Sequence, residues 1–235
     1  MREQPQQQAP PVQRLRIRYA KRGRMRFTSH RDFSRAFERA VFRARLPMAY
    51  SSGFNPHPRI SYAGAAPTGS ASEAEFLEIA LAEVLDPAAV VGQLAEVMPE
   101  GLDVLTVVEA GPGSLADRLE ASHWRLDVPQ PAETVGAAVA EFLARDEVEV
   151  QRMTKKGLRT FDCRAAVLSL AVAEDGSGTR LDLVLRHGTP SVRPDDLLTA
   201  LSEVSGAALG ERVLLTRLAQ GPLGDDGTVG DPLSQ

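Results

Sequence analysis

The chain has 235 residues, 43% of them hydrophobic and 25% charged, an ordinary globular composition that excludes wholesale disorder. Its single cysteine, Cys163, excludes an intramolecular disulfide, and no apolar run approaches the roughly 20 residues that cross a bilayer. The net charge of −4 hides a split: residues 1–62 hold 14 Lys+Arg against 3 Asp+Glu, and residues 63–235 hold 13 against 28. The basic part is therefore expected to meet an anion, with nucleic acid or an acidic partner as the usual candidates. With no secretory signal pattern at the N-terminus, a cytoplasmic location is expected.

The Gln- and Pro-rich residues 1–11 and the Gly- and Asp-rich residues 221–235 are expected to lack fixed structure. Val12 to Tyr19 alternates Leu15, Ile17 and Tyr19 with Arg14, Arg16 and Arg18, which predicts a strand with three arginines on an exposed face. After a turn at Lys21 to Gly23, Ser29 caps a helix that Asp32 answers three residues later. Phe33, Ala36, Phe37, Ala40, Val41 and Ala44 form its core stripe, and Arg31, Arg35, Arg39 and Arg43 a ridge at four-residue spacing. Short strands are predicted at Met48 to Tyr50 and Ile60 to Ala63, and a longer one at Glu75 to Leu81. A helix opening at Asp86-Pro87 and a strand from Leu102 to Val108 complete a βαββαβ order.

After Gly111-Pro112-Gly113 a second run of strands and helices begins. Strands are predicted at 123–128, 148–153, 166–173, 180–185 and 213–218, and helices at 132–145 and 194–204. The expected fold class is α+β: two tandem ferredoxin-like domains, each with helices on one face of an antiparallel sheet. The basic domain spans 12–110 and the acidic one 118–220.

Tyr50 to Tyr62 is the most informative stretch, because Pro56 and Pro58 stiffen a loop that offers Asn55, His57 and Arg59. The plainer reading is a turn in which Asn55 caps its own backbone. The blocks Phe27 to Asp32, Leu46-Pro47, Tyr50 to Pro58 and Pro67 to Glu75 resemble the radical SAM-linked protein family, a domain of unknown function. In that family the domain stands alone or is fused behind a radical SAM enzyme. The resemblance implies a freestanding form that cooperates with such an enzyme.

The chain cannot itself hold the cluster that radical SAM chemistry needs, since that takes three closely spaced thiolates and only Cys163 is present. No cofactor and no metal is assigned. Gly64 to Ser72 lacks the lysine of a phosphate-binding loop, and Glu73, Glu75, Glu78 and Asp103 read as solvated or paired with arginines. His30, His57, His123 and His187 lie on separate elements with no metal-ligand spacing.

RNA is the leading ligand. Arg14, Arg16, Arg18, Arg24, Arg26, Arg31, Arg35 and Arg59 are expected to neutralise phosphates, with His30, Tyr50, Phe54, Asn55 and His57 contacting bases or backbone. The plainer alternative is a set of solvated arginines. The expected function is a non-catalytic RNA-binding accessory module, with tRNA or rRNA as candidate ligand. A radical SAM enzyme or a ribonuclease is the expected partner, and no membrane is involved. Two alternatives stay open: an RNA-directed enzyme using His30 and His57 as acid and base, and an adaptor whose arginines dock a radical SAM protein.

Overall fold

The computed structural model describes residues 7–154, 157–174 and 178–234, and it is a mixed α+β protein with four α-helices among those residues. It divides into two compact units, the first made of residues up to Asp117 together with the C-terminal residues from Leu233, and the second running from Arg118 to Pro232. None of the four helices is long and apolar enough to cross a membrane.

In the first unit the chain runs β1 (Gln13–Lys21), α1 (His30–Arg43), β2 (Ile60–Ala63), β3 (Ala71–Leu81), α2 (Pro87–Ala95) and β4 (Val104–Glu109). Neighbouring strands pair antiparallel in the order β4-β1-β3-β2. The alternation in β1 places Leu15, Ile17 and Tyr19 in one core with Leu77, Ile79 and Leu81 of β3. Phe33, Phe37 and Val41 of α1 and Val90 and Leu94 of α2 close that core. Tyr19 stacks on Phe33 at 4.3 Å between ring centroids.

Helix α1 starts where expected. The Ser29 hydroxyl oxygen accepts the Asp32 N–H at 3.2 Å and donates its own proton to the Asp32 carboxylate at 2.7 Å. Two details differ from expectation. Met48 to Tyr50 forms single bridges, Met48 to Leu81 and Tyr50 to Pro58, because the prolines at 47, 56 and 58 have no N–H to extend a ladder. A 3-10 turn, Gly23–Phe27, fills the link between β1 and α1.

The second unit runs β5 (Ala121–Val128), α3 (Ala132–Leu143), β6 (Glu149–Thr154), β7 (Gly157–Asp162), β8 (Val167–Glu174), β9 (Thr179–Arg186), α4 (Pro194–Ser205) and β10 (Leu214–Gly221). Its sheet order is β10-β5-β9-β8, again antiparallel throughout. The strand β7 is additional to the expected set and pairs only with β6, so the two form a hairpin apart from the sheet. Buried Val150 and Phe161 seat its base, while Met153 and Leu158, partners in register, stay 72% and 57% exposed.

Residues 222–234, expected to lack structure, are described and bonded. Gly224 N–H donates to Thr228 C=O at 2.9 Å, Gly230 N–H to Pro222 C=O at 2.8 Å, and Leu223 bridges Val229. Gly221 is packed so closely that a Cβ there would lie 2.1 Å from the Gly230 oxygen. Backbone pairing, which composition does not report, supplies much of this order, and the Glu120 and Asp226 carboxylates add bonds to Leu223 and Thr228.

Candidate nucleic-acid interface

Helix α1 carries the clearest concentration of free charge. Arg31, Arg35, Arg39 and Arg43 are exposed, and among the described residues none has a carboxylate within ion-pair distance. The four-residue spacing puts them on one side of the helix, opposite buried Phe33, Phe37, Ala40 and Val41. Phe42 stands among them, 81% exposed. With Arg35, Glu38, Arg39 and Arg43 it lines a shallow groove of about 630 Å³.

The loop from Tyr50 to Arg59 is closed by its own backbone. The Ser51 N–H donates to the His57 carbonyl at 2.9 Å, and the His57 N–H donates to Ser51 Oγ at 3.1 Å. Ser51, rather than Asn55, thus satisfies the loop. Arg59 Nε donates to the Tyr50 carbonyl at 3.0 Å. Gly53 sits at φ +139°, a conformation that favours glycine, and the loop turns Phe54, Asn55 and His57 outward, with Phe54 72% exposed.

The arginines of β1 are not a free face. Arg16 is only 1% exposed: its guanidinium donates to Glu78 at 3.1 Å and to the carbonyls of Gly111 and Gly113 at 3.1 and 2.6 Å. A buried guanidinium needs such partners, so Arg16 fixes the 111–113 segment instead of facing solvent, correcting the expected triplet. Arg18 Nε donates to the Glu73 carbonyl at 2.8 Å, and Arg22 bridges Glu73 and Asp103. Arg14 remains 60% exposed, 3.6 Å from Glu78. Arg24 is exposed, and half-buried Arg26 lies 4.7 Å over the Phe27 ring. The carboxylates of this region are all engaged: Glu73, Glu78 and Asp103 by arginines, and Glu75 by the Ala66 N–H at 3.2 Å.

His30 is the first residue of α1 and meets Tyr62 edge-on at 4.9 Å. Burial pushes the Tyr62 phenol up, which keeps it neutral. Among the described residues no hydrogen bond or ring contact joins His30 to His57. His123, on β5, lies 3.7 Å from Asp182. Cys163 is fully buried, and burial, aided by Asp196 and Asp162, pushes its thiol up to about 12, far from a reactive thiolate.

His187 is held by a buried polar chain. Its Nδ1 donates to the Leu119 carbonyl at 2.8 Å, and Nε2 accepts from Ser122 Oγ at 3.0 Å, which itself accepts from Trp124 Nε1 at 2.8 Å. Ser122 is 3% exposed, so this Ser–His pair is closed to a substrate and serves the fold. Burial lowers the His187 pKa below its usual 6.5, with Arg217 adding to the effect and the Leu119 bond opposing it. A depressed folded-state pKa contributes stability that is complete above the unfolded value and lost as pH falls through the folded one. The unfolding free energy is therefore expected to fall below about pH 6.5, by at most about 1.4 kcal/mol per pH unit from this group, and the thermal midpoint with it. His187→Gln is expected to flatten the curve; an equally steep curve in the variant would assign the dependence elsewhere.

Residues 14–194 match the family described as an uncharacterized protein conserved in bacteria (DUF2344). The chain belongs to that family. The matched span takes in α1, the 50–59 loop and the β6–β7 hairpin, and ends as α4 begins. No curated protein matches. Among solved structures the chain is similar to one from the crystal structure of a Cbf5-Nop10-Gar1 complex, with 15% identity and a TM-score of 0.45. The likeness covers 97% of this chain, which spans 58% of that one.

Of the residues singled out in the sequence, Arg31 and Arg35 share α1 with His30, and Tyr50, Phe54, Asn55, His57 and Arg59 share one loop. Phe42, Arg39 and Arg43 complete the helical surface. Phe42 is legible as a phenylalanine off the helix's apolar stripe, at a position that the 3.6-residue period assigns to solvent.

Proposed function

We propose that this family member is an RNA-binding accessory module whose first unit presents α1 and the Tyr50–Arg59 loop to RNA. The observation that carries the reading is the row of Arg31, Arg35, Arg39 and Arg43, exposed and without carboxylate partners among the described residues. Most exposed charge on a protein is balanced locally, whereas a helical ridge on which four arginines outnumber a single glutamate, Glu38, raises the local concentration of a polyanion. Arg24 and the loop residues Asn55, His57 and Arg59 extend the interface, whereas Arg14 and Arg16, on the sheet face away from α1, do not take part.

Both units are read as ferredoxin-like. In each, the first and third strands lie at the centre and the two helices follow the first and third strands, the second unit carrying the β6–β7 hairpin as an insertion. The resemblance of the Phe27–Asp32, Tyr50–Pro58 and Pro67–Glu75 blocks to radical SAM-linked proteins supports a radical SAM or RNA-processing enzyme as the partner, in the cytoplasm. The module delivers the RNA and the partner supplies the chemistry.

Sequencing of RNA crosslinked to the protein in cells tests this, with Arg31/Arg35/Arg39/Arg43→Gln as comparison. A defined set of transcripts recovered with the wild type and lost with the variant is expected. Equal recovery with both, or none above background with either, would sink the reading.

A further inference from the structure

The exposed aromatic side chains among the described residues all fall in the first unit: Phe27, Phe42, Tyr50 and Phe54, at 59, 81, 41 and 72%. In the second unit the exposed large apolar residues are aliphatic, Leu143, Met153 and Leu158. Guanidinium groups accompany the rings of Phe27 and Phe42. Arg26 lies over Phe27, and Phe42 shares its groove with Arg35, Arg39 and Arg43.

A row of arginines alone serves duplex and single strand alike, because both carry phosphates on the outside. Exposed rings do not. In a duplex the base faces are hidden in the stack, whereas an unpaired base offers a flat π-face that an aromatic ring covers while its phosphates reach neighbouring cations. Phe42 has both parts within one groove, and Glu38 on the same wall is an acceptor suited to an exocyclic base amino group. The ring is bordered by charges on its own helix, so it makes no broad apolar patch of the kind a folded protein partner would cover.

We infer that Phe42, with Arg35, Arg39 and Arg43, forms a stacking subsite for an unpaired nucleotide, so that this surface takes single-stranded RNA in preference to duplex. The inference rests on the RNA-binding reading above and adds the strandedness of the ligand and a residue that contacts it.

The test is fluorescence anisotropy of the full chain with a labelled mixed-sequence RNA of about 12 nucleotides, alone and annealed to its complement. Wild type, Phe42→Ala, Phe42→Tyr and the four-arginine Gln variant are compared. The wild type should prefer the single strand. Phe42→Ala should weaken single-strand binding about tenfold or more, leave duplex binding unchanged, and Phe42→Tyr should restore it. Equal losses on both ligands, or no loss on either, overturn the subsite while the arginine variant still reports on RNA binding itself. If the wild type binds neither RNA, the broader reading fails with it. Phe42→Ala abolishing capture of a protein with RNA affinity intact overturns the subsite in favour of a protein interface.

Discussion

Arg16→Ala is expected to destabilise the first unit by about 3–5 kcal/mol, the range found when one member of a buried ion pair is removed. The side chain is 1% exposed and satisfies three acceptors at once: the Glu78 carboxylate and the carbonyls of Gly111 and Gly113. Truncation leaves a carboxylate with 18% side-chain exposure and removes the hydrogen bonds that hold the 111–113 segment. Arg14→Ala is the matched control, two positions away with its side chain 60% exposed, and should change stability by no more than about 0.5 kcal/mol. Arg16→Met/Glu78→Met should cost less than Arg16→Ala alone, since it removes the half-buried carboxylate that Arg16→Ala leaves with only the exposed Arg14 at 3.6 Å. Urea unfolding followed by far-ultraviolet circular dichroism reads all three. Equal midpoints for Arg16→Ala and Arg14→Ala would mean that the two arginines stand in the same environment.

That contrast also shows where sequence reading stops. The period of two in β1 identifies correctly that Leu15, Ile17 and Tyr19 face one way and the arginines the other. It is silent on what covers the second face, which depends on a segment almost 100 residues later folding back as acceptor for Arg16. Gly111-Pro112-Gly113 looks like a linker because it lacks side chains, and its carbonyls are what bind.

The β7 strand is hidden for a related reason. Leu158, Arg159 and Thr160 are all exposed, so no apolar alternation marks them, and only Phe161 anchors the strand inward. Lys155 and Lys156 lie outside the described residues. The structured tail after Gly221 escapes composition because its order comes from backbone bonds between glycines and their neighbours and from polar side chains, Asp226 holding Thr228 and Glu120 holding the Leu223 N–H. Helix α1 is legible almost residue for residue, since cap, stripe and ridge all obey the same 3.6-residue period.

The second large effect concerns that ridge. Each arginine that neutralises a phosphate releases condensed counterion, and the slope of log affinity against log salt falls by about 0.7 for each phosphate no longer neutralised on a single strand. Replacing four arginines with Gln, which keeps a good helix former at each position, should therefore reduce the slope by about 3 and leave only weak binding near physiological salt. The unfolding midpoint should barely move, because these side chains are exposed and unpaired among the described residues. The most direct measurement is anisotropy of the labelled single-stranded RNA at salt concentrations between roughly 50 and 200 mM, wild type beside Arg31/Arg35/Arg39/Arg43→Gln. A slope of several units in the wild type, lowered by about 3 in the variant, is the predicted result. Slopes that coincide, or wild-type binding indifferent to salt, would contradict an α1 surface built to hold RNA.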